Sequence, residues 1–185
     1  MENPVRWTSA DLDLLPDNGN RYEIVDGELF VTRAPHWDHQ QVCGCIFQEL
    51  NLWSQATGLG RAAVNPGILF TDEDNVIPDV VWASHERLGR LLDDAGHLTG
   101  APELVVEVLS PGPENERRDR KAKLKLYSTR GVHEYWIADW QSKRLEVYRR
   151  QNAQLVLAET LETTDTLTSP LLPGFSCPAA RLFSP

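Results

Sequence analysis

The sequence predicts an α/β chain with some α+β character, and three observations carry that prediction. Short runs rich in β-branched and aromatic residues recur at 21–25, 28–31, 78–82, 104–109 and 134–138. A long stretch from 36 to about 56 repeats apolar residues at helical spacing, and a second helical segment runs from about 115 to 129. Two of the β-type runs carry a single acid, Asp79 in the first and Glu107 in the second. A carboxylate inside an apolar strand is costly unless it is paired or holds a metal.

The elements follow in order. Thr8 or Ser9 can cap a short helix through Asp11, Leu12, Leu14 and Leu15, ended by Pro16 and the turn at 17–20. The runs 21–25 and 28–31 flank Asp26-Gly27, a strong hairpin signal. Alternation puts Glu23 on the face of Arg21 and Val25, where a plain exposed acid is an equally good reading. In the long helix, Val42, Ile46, Leu50 and Trp53 form the stripe, and Gly44 implies a closely packed neighbour. Gly58 and Gly60 end it. Strands are expected near 61–65 and 67–70, broken at Pro66, with 72–75 a turn into the Asp79 strand. Ser84 opens a short helical excursion, and 89–103 reads as an irregular connection. Gly131 is placed to cap the helix of 115–129. Further strands are expected at 144–148, at 154–158 and weakly within 163–169. Residues 170–175 read as an apolar cap on the core.

Composition narrows the classes. With 185 residues the chain is long enough for a substantial core, and 1–185 reads as one domain. The formal charge of −9 argues against broad, nonspecific nucleic-acid binding, although a local channel built from acids and bound cations is compatible with it. No apolar run approaches bilayer-spanning length, and the opening MENPVRW lacks the basic and apolar regions of a signal peptide, so a cytoplasmic protein without membrane contact is expected. Cys43, Cys45 and Cys177 have neither the spacing of a redox pair nor that of a zinc knuckle and read as buried free thiols.

If the strands of Asp79 and Glu107 pair, both acids point to one edge. They can then hold Mg²⁺, or Mn²⁺ in its place, since both favour oxygen ligands. Such an ion would activate water for phosphoryl chemistry. Either acid alone fits a buried salt bridge as well. A lysine can be chosen by angle: with Ala122 at zero and about 100° per residue, Leu126 falls at about 40°, Lys123 at about 100° and Tyr127 at about 140°. Lys123 and Asp119 therefore face inward, and Lys121 and Lys125 face out. The bland alternative for Lys123 is a buried stem with a snorkelling ammonium. His36 and His39 are three apart, but two ligands do not make a zinc site, and a substrate-side role for His39 is the better reading. Gly58-Leu59-Gly60 is not followed by a phosphate-loop signature, and the six Trp are scattered rather than grouped for base stacking.

With those residues in view, the chain resembles the bacterial putative restriction endonuclease family once catalogued as domain of unknown function 820, within the PD-(D/E)XK nuclease superfamily. The resemblance rests on Tyr22-Glu23-Ile24-Val25-Asp26-Gly27-Glu28, His39-Gln40, residues 76–80 and 104–111, and Arg118-Asp119-Arg120 with Lys123 and Tyr127. It continues through 131–137 and Leu172-Pro173-Gly174-Phe175. It implies a restriction-endonuclease-like mixed β-sheet core with flanking helices, not a doubly wound nucleotide-binding fold. By the same resemblance Asp79 and Glu107 are metal ligands, Lys123 is the catalytic lysine and Glu23 an auxiliary acid. One departure stands out: the superfamily lysine commonly sits two positions after the second acid, and here that position is Leu109. The pattern resembles one in which the following helix supplies the lysine.

The leading expectation is a Mg²⁺-dependent DNA endonuclease, with a homodimer as a natural assembly for cutting two strands. The alternatives are a noncatalytic nucleic-acid or protein interaction module, and a metal-assisted phosphodiesterase acting on RNA or a small nucleotide.

Overall fold

The computed structural model describes residues 5–184. The first four residues of the stretch read as lacking a signal peptide, and residue 185 of the expected domain, lie outside the described residues. Helix α1 (Ser9–Leu12) is shorter than expected. Asp11 accepts from both the amide and the hydroxyl of Thr8 at 2.8 Å, but Leu14 is 82% exposed and no buried face holds a longer helix. Strands β1 (Arg21–Val25) and β2 (Glu28–Thr32) pair antiparallel across Asp26-Gly27, whose φ values of 52° and 72° are those of the expected tight turn.

Helix α2 (Trp37–Thr57) is capped by His36, whose ring accepts from the Asp38 amide, and ends at Gly58 with φ 69°. It buries Val42, Cys43, Ile46 and Leu50. The neighbour expected against Gly44 is absent: a Cβ there would meet nothing within 4 Å, because the residue faces solvent. Next come β3 (Gly60–Val64), β4 (Ile68–Thr71), β5 (Asp74–Val76) and β6 (Val80–Ser84). Residues 72–75 are therefore not all turn. Asp74 and Asn75 already pair with β4, so the reversal tightens into a hairpin.

The remainder is α3 (His85–Leu91), β7 (Leu104–Val108), α4 (Pro113–Arg117), a π-helical turn (Arg118–Lys123) and α5 (Leu124–Arg130), closed by Gly131 at φ 93°. Then follow β8 (Glu134–Asp139), β9 (Arg144–Gln151), β10 (Gln154–Leu161), β11 (Thr166–Thr168), β12 (Ser176–Pro178) and α6 (Ala180–Phe183). The last strand and last helix were not expected.

A six-stranded sheet in the order β10-β9-β8-β7-β6-β3 forms the centre. Its β7–β8 pair is parallel and the others antiparallel, so the expected mixed sheet flanked by helices is what the chain adopts. A parallel pair needs a crossover, and the helical passage from Pro113 to Arg130 supplies it. One sheet face packs Val80, Trp82, Val106 and Trp136 against α2 and the C-terminal Leu172 and Phe175, the expected apolar cap. The other packs Val81, Val105 and Leu109 against Leu126 and Tyr127 of α5 and against Val25, Ile68 and Val76 of a four-stranded sheet ordered β2-β1-β5-β4.

Candidate active site

Strands β6 and β7 run antiparallel with Val80 opposite Val106, so the next pair outward sets Asp79 opposite Glu107 on one face. Asp79 lies on the bend just before β6 rather than inside the strand. Its own side chain is the reason. Asp79 Oδ2 accepts from the Val108 amide at 2.8 Å, taking the place of a ladder bond, while its carbonyl accepts from Asn65 N.

Three groups surround the Asp79 carboxylate. His39 Nε2, from the first turn of α2, is 3.3 Å from Oδ2, and Arg21 Nη1, from the start of β1, is 3.2 Å from Oδ1. Cys43, one helical turn on, sets Sγ 3.6 Å from His39 Nδ1. Burial by itself would raise the Asp79 pKa, but His39, the Val108 amide and Lys123 outweigh it and bring the carboxyl down to about 2.

Glu107 has a different shell. Its Oε1 accepts from Lys123 Nζ and from Tyr127 OH, both at 2.9 Å. Its Oε2 accepts nothing from the described residues. Lys123 is 1% exposed and also reaches Glu23 Oε1 at 2.8 Å, which the Ile77 amide pins at the same distance. Burial opposes the charge on Lys123, but Glu107 and Glu23 outweigh burial and hold the ammonium above the usual lysine range. Arg118 completes the cluster. It forks onto Asp119 at 2.8 and 3.1 Å and donates to Thr32 Oγ1 at 2.7 Å.

Asp79, Glu107, Glu23 and Asp119 thus face Arg21, Lys123 and Arg118, with the exposed Arg33 as a fourth cation beside them. Glu107 lies buried among the other three acids. Burial first, then Asp79, Asp119 and Glu23 against the opposing pull of Lys123, push its carboxyl up to about 8.

Arg21, Glu23, His39, Asp79, Glu107, Arg118 and Lys123 line a cavity of about 20 Å³, room for one water or one ion. Thr32, Arg33, Pro35 and Ser110 line both this cavity and an open cleft of about 560 Å³ in front of it. Two donor sets bear on a metal. His39, Cys43 and Asp79 each bring a donor atom within 4.8 Å of the other two, an arrangement able to hold a divalent ion. The Cys43 thiol, however, is pushed well up by burial and by Asp79 and Glu107, and it does not line the cavity. The oxygens of Asp79 and Glu107 do line it. They fit a hard, oxygen-preferring cation.

The four residues singled out from sequence, Glu23, Asp79, Glu107 and Lys123, therefore meet around one cavity, with Lys121 and Lys125 exposed. His39 is present as a partner of Asp79, and His36 is not: its ring stacks on Trp140 at 4.8 Å. All three thiols are free, Cys43 and Cys177 buried and Cys45 partly so. Arg21, Arg118 and Tyr127 were missed as site residues. Tyr127 had a signal in its inward helical angle; Arg21 shared the predicted face of Glu23.

Among the described residues no helix is long and apolar enough to cross a membrane. The family model described as Uma2, putative restriction endonuclease, matches residues 9–180. Among solved structures, a putative nuclease belonging to DUF820 from Anabaena variabilis ATCC 29413 superposes with a TM-score of 0.75 at 19% identity, over 95% of this chain and 97% of that one. That likeness speaks to the fold. No curated protein matches the chain.

Proposed function

The chain belongs to the Uma2 family of putative restriction endonucleases, and from that premise we propose that it is a metal-dependent endonuclease hydrolysing phosphodiester bonds in DNA. One observation carries the reading. An ion-sized cavity is lined by Asp79 and Glu107, with a buried, charged lysine at its wall and an open cleft at its mouth. Asp79 and Glu107 would hold Mg²⁺, or Mn²⁺, which supplies an activated water and a counter-charge for the phosphoryl oxygens. Lys123 donates an N–H to the oxygen that gains charge as the bond breaks, in a site from which bulk water is excluded. Glu23 and Glu107 keep that ammonium protonated and aimed, and Tyr127 fixes the Glu107 oxygen on which it rests. Arg33 and Ser110 line both cleft and cavity, and on this reading they would meet the phosphate backbone.

A cytoplasmic location and a homodimer accompany this reading, since cutting both strands needs two such sites. The test is cleavage of duplex DNA in Mg²⁺ or Mn²⁺, with metal binding followed calorimetrically. Asp79→Asn and Glu107→Gln are expected to lose both metal affinity and turnover, and Lys123→Ala to lose turnover while keeping metal. Turnover of RNA or a cyclic dinucleotide in place of DNA moves the substrate class. Metal binding without turnover of any phosphodiester makes the chain an interaction module and ends the enzymatic reading.

A further inference from the structure

The two acids offer their oxygens to the cavity differently. On Glu107 the resident donors and the cavity use separate atoms: Lys123 and Tyr127 donate to Oε1, and Oε2 accepts nothing among the described residues. On Asp79 they share one. Oδ2 is taken by the Val108 amide at 2.8 Å and by His39 at 3.3 Å, so Oδ1 is the oxygen left for a ligand, and Arg21 Nη1 already occupies it at 3.2 Å.

We propose that Arg21 is a built-in competitor of the metal: its guanidinium and a hard divalent cation are alternative occupants of Asp79 Oδ1. This rests on the reading of Asp79 as a metal ligand. The geometry suits displacement. Arg21 touches the carboxylate through one nitrogen rather than a bidentate fork, and its other contact, to the Ile77 carbonyl, is long at 3.5 Å. The arginine side chain is 24% exposed and the aspartate 5%, so the guanidinium has a way out to solvent and the carboxylate stays in place. Like charge prevents both cations from sharing a cavity with room for one small occupant. Arg118 does not compete in this way, because its fork is closed on Asp119. Arg21 thus sets the metal affinity of the site, holding Asp79 in position when no ion is bound and withdrawing when one arrives.

The consequence is a gain where loss of a site residue ordinarily weakens. Arg21→Gln keeps a polar side chain of lesser reach without the charge. It is expected to bind Mn²⁺ about fivefold more tightly than the parent protein, as removal of one partly exposed ion pair implies. Arg21→Lys, which keeps the charge, is expected to stay near the parent affinity. Mn²⁺ affinity is read by electron paramagnetic resonance of the free ion at fixed pH and ionic strength, after circular dichroism confirms folding. Asp79→Asn is titrated in parallel. Unchanged or weaker binding by Arg21→Gln, with Asp79→Asn still losing the ion, overturns the competition and leaves the metal site standing. Equal binding by Asp79→Asn and the parent removes the metal site itself. Equal tightening by Arg21→Gln and Arg21→Lys also overturns the proposal, since charge would then not be the cause.

Discussion

Replacing Glu107 with glutamine probes the cost of burying this carboxylate among other acids directly. In the metal-free protein the Glu107 carboxyl is held up to about 8, against 4.5 for an ordinary glutamate. Above pH 4.5 the unfolded chain has lost this proton, whereas the folded chain keeps it until about pH 8. Folding therefore carries one extra proton across that window, and stability falls as pH rises through it, then levels off. The full gap corresponds to about 5 kcal/mol, of which about 3 kcal/mol has accrued by pH 7. With Glu107 only 2% exposed, solvent screening takes little from this. Glu107→Gln has no proton to lose, and its amide oxygen can still accept from Lys123 and Tyr127. The variant and the parent should therefore differ little at pH 4.5, and the variant should be more stable by several kcal/mol at pH 9. Asp79 does not confuse the comparison, because its carboxyl lies near pH 2 and the subtraction removes it. Urea denaturation in metal-free buffer at pH 4.5, 7 and 9 gives the three differences. A flat difference would mean that Glu107 is ionised throughout, and would refute the inference that burial and the neighbouring acids hold its proton.

Two further outcomes follow from burial and packing. Lys123→Ala leaves Glu107 and Glu23 without their shared cation and should cost about 3–5 kcal/mol in denaturant melts at pH 9, against changes within about 0.5 kcal/mol for the exposed Lys121→Ala and Lys125→Ala. Gly60→Ala would place a Cβ 2.3 Å from the Ala83 carbonyl oxygen across the β3–β6 pair, so it should cost about 1–3 kcal/mol and lower the thermal midpoint without altering metal affinity.

Three of the four residues first singled out were legible because each broke a local rule. Asp79 and Glu107 put charge into apolar runs and Lys123 put it on an inward helical angle, whereas the strand pattern left Glu23 open and only the family resemblance marked it. Arg118 broke no rule that could be read. A uniform wheel of about 100° per residue sets it roughly 100° from Asp119, but the π-helical turn over Arg118–Lys123 changes the phase and turns both residues inward. Such a turn leaves no periodic signal. The ion pair between Arg21 and Asp79 joins the start of a hairpin to a bend 58 positions away, a contact no window along the chain can see. β12 and α6, of three and four residues, are too short to carry a period and are held by core contacts of Cys177, Leu182 and Phe183.

The lysine's place on the crossover between β7 and β8 separates two things that a strand would keep together. A lysine two positions after Glu107 would be fixed by the pleat, at a spacing no tertiary motion can change. Here Leu109 holds that position, buried in the core, and the ammonium rides on a helical passage lying across the sheet. Its 2.9 Å approach to Glu107 is therefore a docking distance. A shift of the passage across the sheet would change that distance while leaving the β6–β7 pairing of Asp79 and Glu107 intact.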